Sequence, residues 1–229
     1  MTTTLALTGS PLWYASRASG TLALVLLTAT VTLGIAAGGR AAPRCIGRFE
    51  IGLLHRNLSL LTLAFLTMHV VTAVLDPFVH LGWAVAVVPF GASYRPLWLG
   101  LGTAALDQLL AVLVTSALRQ RLGVRRWKAV HWMAYAAWPL ALFHGVGTGT
   151  DTRLPLQLWL HAGCLGAVVA AVWWRLAKAG PGHITGRLPA ATAAMAVPVV
   201  LGAFLATGPL QPGWAQRAAA TTFVLGGGR

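Results

Sequence analysis

Six stretches of this chain, near residues 19–38, 51–75, 97–118, 129–147, 156–177 and 189–208, run for about 20 residues in Leu, Ala, Val and Gly with almost no charge. A helix of that length, rising 1.5 Å per residue, covers the roughly 30 Å hydrocarbon core of a bilayer. Lipid offers backbone amides no water to bond, so such segments fold as helices that satisfy their own amides. The expectation is an all-α integral membrane protein, a six-transmembrane-helix bundle, with 1–229 as a single membrane domain. Helix-ending residues stand where the runs stop: Asp76 and Pro77 after the second, Gly145, Gly147 and Gly149 at the fourth, Gly208 and Pro209 at the sixth. A seventh apolar stretch, 80–92, is too short to cross and reads as an interfacial or re-entrant segment.

Charge supports the same class. Only 9% of residues are charged and 57% are hydrophobic, against roughly 25% charged in soluble domains, which excludes a water-soluble fold. The net charge of +13 would on a soluble domain raise the question of nucleic acid. Here the basic residues gather in short connections, where they set orientation, and no nucleic-acid partner is expected. Arg40, Arg44, Arg48 and Arg56, then Arg119, Arg121, Arg125, Arg126 and Lys128, then Arg175, Lys178 and Arg187 fall on one side. The other side has Arg17, Arg95, Arg153, Arg217 and Arg229. The richer side is cytoplasmic by the positive-inside rule, so the expectation is a multi-pass protein of the cell (plasma) membrane with both termini extracytoplasmic. Trp83, Trp98 and Trp159 are expected at the outer interface, and Trp127, Trp132, Trp173 and Trp174 at the inner one. With Arg17 as the only charge ahead of the first run, no cleaved signal peptide is expected.

Several chemistries are absent from the motifs. Cys45 and Cys164 form neither CxxC nor CxxCH, which argues against a zinc ribbon, a dithiol pair and covalently attached haem. Cys164 reads as a small packing residue. No GxGxxG follows a strand, so no flavin or nicotinamide domain is expected within the chain.

The histidines are the informative residues. Five of the seven lie in the apolar runs, where polar side chains are costly and mark function by default. His55 and His69 share the second run, and His131 and His144 the fourth. Two helices separated by one crossing run in the same direction, which puts His55 and His131 near the cytoplasmic end and His69 and His144 near the outer end. On an ideal helix His55 and His69 are about 21 Å and about 40° apart, one face; His131 and His144 are about 19.5 Å apart but about 140° out of phase. A kink at Pro139 or unwinding at Gly145 is expected to correct this.

Single intramembrane histidines usually serve packing or hydrogen bonding. Two pairs at matched levels instead offer the axial ligands of two six-coordinate b-type haems, stacked across the membrane. Ala64, Ala134, Ala136, Ala137 and Gly145 provide small flanks. Arg48, Arg56, Arg126 and Lys128 are candidates for inner propionates, and Arg95 and Arg153 for outer ones.

The segments LLHRNLSLLTLAFLTMH and KAVHWMAYAAWPLALFH resemble the haem-binding helices of the ferric reductase-like transmembrane family. This family includes NADPH oxidases, eukaryotic ferric reductases and the haem subunit of bacterial methionine sulfoxide repair. The resemblance spans about residues 15–178, beyond which 189–208 is an additional helix. It implies that His55 pairs with His131 on an inner haem and His69 with His144 on an outer haem. Unlike the NADPH oxidases this chain has no flavin domain following the shared helices, so it is more similar to stand-alone bacterial members that use a separate donor subunit.

Three further residues are candidates: His161 as a hydrogen-bond donor to a ligand or an alternative outer ligand, His80 as a metal or acceptor contact, and Asp107 for a proton-linked role or a hydrogen bond to a ligand imidazole. The functional expectation is a di-haem membrane cytochrome. It would carry electrons from a cytoplasmic flavoprotein or quinol to ferric iron, oxygen or a redox protein outside. The rivals are a histidine-lined metal or proton transporter and the membrane anchor of a redox complex.

Overall fold

The computed structural model describes residues 10–37, 47–77, 81–149, 151–178 and 184–214; of Arg48 and 184–187 it describes the backbone only. Cys45, His80, Arg40 and Arg44 lie outside the described residues. The described chain is all-helical: α1 (Pro11–Ala37), α2 (Arg48–Leu75), α3 (Pro96–Ala117), α4 (Arg119–His131), α5 (Met133–Thr148), α6 (Pro155–Lys178) and α7 (Ile184–Thr207). Five of these, α1, α2, α3, α6 and α7, are long and apolar enough to cross a membrane. The chain is thus a multi-pass helical membrane protein.

Local chemistry sets the helix starts. Ser10 Oγ accepts the Trp13 amide at 3.0 Å, capping α1, and donates to Asp76 Oδ1 at 2.9 Å, tying the start of α1 to the end of α2. Glu50 accepts the Gly47 amide at 3.0 Å before α2. Pro96 opens α3 after Arg95, which adopts a left-handed φ of 43°. That geometry buries Arg95, and its Nη1 donates to the Gly147 carbonyl at 2.9 Å, joining the start of α3 to the end of α5. Stretch 81–92 does not cross: it forms a 3-10 turn at Trp83–Ala86, and Thr103 on α3 donates to the Val85 carbonyl at 2.8 Å.

The expected run at 129–147 is divided. α5 has 16 residues and is joined to α4 through Trp132, whose φ of −66° and ψ of −19° keep the backbone helical. Tyr135 then bonds back to the Trp132 carbonyl at 3.1 Å, a three-residue step. A 3-10 step turns about 120° per residue rather than 100°, the direction needed to bring His131 and His144 into phase. The expected unwinding at Gly145 does not occur, since the helix continues to Thr148. Upstream, Gly123 breaks α4 with φ of 75°, a conformation glycine adopts without a Cβ clash.

The close-packed pairs are α1 with α2, α3 with α5, α1 with α5 and α6, and α6 with α7, whereas α2 and α5 make no extended backbone contact. The core lies on one side of this arrangement: Leu27, Val31 and Ile35 of α1, Trp138, Leu142 and Val146 of α5, Cys164 of α6 and Leu201 of α7. Trp138 Nε1 donates to Thr28 Oγ1 at 2.9 Å within it, satisfying a buried donor. Among the expected interfacial tryptophans, Trp83, Trp132, Trp159, Trp173 and Trp174 are exposed. Trp98 instead turns inward, stacking on Phe204 of α7 at 4.3 Å and meeting Trp214 at 6.4 Å.

Candidate functional site

α1 packs against α2 and α3 against α5, so an open slot separates α2 from α5. The structure brings His55 opposite His131, with ring centres 6.2 Å apart, and His69 opposite His144, at 6.0 Å. No hydrogen bond joins the rings of either pair. Imidazole nitrogen lies about 2.0–2.1 Å from a bound transition metal such as zinc. Two imidazoles on opposite sides of one metal ion therefore have centres roughly 6 Å apart.

Hydrogen bonding fixes which nitrogen is free. His69 Nδ1 lies 2.8 Å from the Ser16 carbonyl and His144 Nδ1 lies 2.9 Å from the Trp98 carbonyl. A carbonyl only accepts, so each Nδ1 carries the proton and each Nε2 keeps a lone pair. At the other level, His55 Nδ1 is buried without a hydrogen-bond partner. His131 Nδ1 is buried without a partner. Its ring stacks on Trp127 at 4.9 Å, and the Arg119 guanidinium lies over that indole at 4.3 Å.

A cavity of about 160 Å³ opens beside His69 and His144, lined also by Arg17, Thr21, Gln157 and His161. Among the described residues no three His, Cys, Asp or Glu side chains gather as a metal cluster. Among the described residues, each level therefore offers two facing imidazoles. This suits a metal whose remaining positions are filled by a flat macrocycle, as in haem, better than a bare ion wanting three or four protein ligands.

The other sequence candidates are distributed unevenly. His161 lines the cavity but pairs with neither ring; its Nδ1 lies 2.7 Å from the Gln157 carbonyl of its own helix. Arg56, Arg126 and Lys128 are exposed at the His55/His131 end, and the side chain of Arg48 is not described. Arg95 is committed to Gly147, and Arg153 to the carbonyls of Pro209 at 3.1 Å and Leu210 at 2.6 Å. Neither lines the His69/His144 cavity. Asp107 is half-buried and, among the described residues, bonds to no imidazole. Cys164 is a free, buried thiol in the core.

Arg17 was missed as a site residue because, standing ahead of the first apolar run, it was counted only among the outer-side charges. It is the basic group of the cavity, and it pairs with Asp151, which Gln157 Nε2 also approaches at 3.5 Å. Trp127 was read only as an interfacial anchor. A tryptophan four residues before His131 sits one helical turn away, which was a usable signal for the stack.

The chain is 27% identical over 179 residues, 77% of its length and 78% of the relative's, to the protein-methionine-sulfoxide reductase heme-binding subunit MsrQ of Ralstonia nicotianae (strain ATCC BAA-1114 / GMI1000). No solved structure matches. The family model for the ferric reductase like transmembrane component matches residues 19–142, more than half of the chain. That span contains His55, His69 and His131 and stops two residues before His144. The chain belongs to the ferric reductase-like transmembrane family.

Proposed function

We propose that this protein is a di-haem b-type membrane cytochrome that relays electrons from a cytoplasmic donor to an extracytoplasmic acceptor. The observation that carries it is the pair of facing imidazole couples, 6.2 and 6.0 Å between ring centres, on either side of the slot between α2 and α5. His55 and His131 would hold one haem b, and His69 and His144 the other. When bound, haem supplies one-electron redox chemistry. The helices place the sites at two levels about 20 Å apart along the bundle, and the surrounding apolar side chains exclude water. With the helical path through Trp132 counted as one crossing, the bundle has six spans and both termini outside.

If two imidazoles held each haem, the chemistry supplied would be electron transfer rather than direct oxygen binding. Arg48, Arg56, Arg126 and Lys128 would pair with propionates at the inner level, and Arg17, which lines the cavity, would serve at the outer one in place of Arg95 and Arg153. His161 is the nearest further imidazole to the outer pair. The R. nicotianae relative is by name a haem-binding subunit of a reductase, which supports reading this chain as one component of a redox system. Its donor would be a separate flavoprotein or quinol, and its acceptor ferric iron, oxygen or a redox protein outside.

Haem quantification on the purified protein tests this. The wild type should contain close to two haems per chain. His55→Ala and His131→Ala should each remove one spectral component, and His69→Ala and His144→Ala the other. A colourless, correctly inserted protein from haem-replete cells would overturn the cytochrome reading in favour of a transporter or anchor.

A further inference from the structure

Three of the four imidazoles rest against a glycine on a neighbouring helix. A Cβ built on Gly102 of α3 would lie 2.4 Å from His144 Nδ1, and one on Gly20 of α1 would lie 2.7 Å from His69 Nδ1. One on Gly34 of α1 would lie 3.4 Å from His55 Cε1. By contrast, a Cβ on Gly52, Gly163, Gly166 or Gly202 would meet nothing within 4 Å.

The carbonyls reached by these rings follow a rule. His69 bonds Ser16, four residues before Gly20, and His144 bonds Trp98, four before Gly102. In an α-helix that carbonyl is the one that accepts the glycine's own amide. It is ordinarily screened by the side chain above it, and the missing Cβ opens a path to it.

The register is consistent along both helices. Gly20 and Gly34 are fourteen residues apart, as are His55 and His69, and α1 and α2 run antiparallel. At the fourth imidazole the pattern fails. Thirteen residues beyond Gly102, the separation of His131 and His144, α3 carries Thr115 rather than glycine. His131 Nδ1 is buried without a partner there, and the Trp127 stack bounds its ring instead.

We propose that Gly20 and Gly102 are positioning residues, each leaving a notch through which a ligand imidazole on the facing helix reaches the backbone carbonyl four residues earlier, whereas Gly34 meets the His55 ring only at ordinary contact distance. The contact fixes the tautomer with Nε2 free, sets the ring plane, and strengthens the imidazole as a donor to a metal. The two levels are consequently unlike: both rings of the His69/His144 pair are held by carbonyls, whereas neither ring of the His55/His131 pair makes a full bond. The stronger donors favour the ferric state, so the carbonyl contacts lower the midpoint potential of the His69/His144 site. The purpose assigned to these contacts rests on the haem reading, while the packing itself stands on the helix contacts.

Double-mutant cycles on the full-length protein in detergent test this. Gly20→Ala should lower the melting temperature, weaken haem binding at the His69/His144 site by about 10–100-fold, and raise the midpoint of the haem that remains. It should have little effect once His69→Ala has removed the ring, yet keep its effect in His55→Ala, which disturbs the other level. Gly102→Ala should behave likewise with His144→Ala, and Gly163→Ala should resemble wild type. Where Gly20→Ala or Gly102→Ala fails to fold alone, recovery of folding in the His69→Ala or His144→Ala background supports the notch, and failure to fold there as well overturns it. Equal loss of melting temperature with and without the facing imidazole, or unchanged haem affinity and midpoints in the glycine variants, would overturn the proposal. A wild type that binds no haem would instead defeat the proposed function and leave the melting cycles readable.

Discussion

Replacing Arg17 with alanine removes the basic partner of Asp151 in a part-buried pair, with side-chain exposures of 24% and 17%. The expected cost is about 3 kcal/mol, because the carboxylate is left without its cation; Asp151→Ala alone should cost a similar amount. The double variant should recover much of it, checked by thermal melts in detergent. At the other level, Trp127→Ala should leave the His69/His144 spectral component unchanged while loosening the His55/His131 site, read as weaker haem retention in that component. The four imidazoles were legible in the sequence because a polar ring in an apolar run is rare and their spacing matched across two helices. The glycines were not, because this chain has 26 of them. The fourteen-residue interval from Gly20 to Gly34 acquires meaning only when α1 is known to lie antiparallel against α2. The assignment of Arg95 and Arg153 to outer propionates failed for a related reason: sequence gives the side of the membrane, but not whether a guanidinium is already satisfied by carbonyls.

Among the helices, α5 carries both halves of the design. One side presents His144 to the slot, and the other buries Leu142 at 0% exposure among α1, α6 and α7. Leu142→Ala is expected to cost about 2–5 kcal/mol through lost burial and the cavity left behind, measurable as a lower melting temperature. α7 acts at a distance: Phe204 stacks on Trp98, whose carbonyl holds His144. Phe204→Ala should therefore perturb the spectrum of the His69/His144 component while sparing the other, as checked by redox-difference spectroscopy. The sequence exposed a phase problem in the fourth run, since about 140° separated His131 from His144 on an ideal helix. It offered Pro139 and Gly145 as residues able to correct it; the helix continues past Gly145, and a three-residue step lies at Trp132. Local propensity marks where a helix is able to bend, and packing of α5 between α1 and α3 selects where it does.

For the whole molecule, orientation is the prediction that composition makes best. A single cysteine introduced at Arg121, in a chain lacking Cys45 and Cys164, should react with an impermeant maleimide only after the membrane is opened from the cytoplasmic side. One introduced at Pro155 should react in intact cells. By itself the sequence determined membrane class, the approximate helix spans, the expected topology and the four imidazoles at two levels, because hydrophobic length, charge asymmetry and the placement of rare polar residues are properties of one segment at a time. Tertiary structure alone decided that α2 and α5 stand apart across a slot, that glycines leave room for two rings to reach carbonyls, and that Arg17 lines the cavity. Those depend on which helix faces which and in what register, and an apolar run that suits lipid on every side carries too little patterning to say.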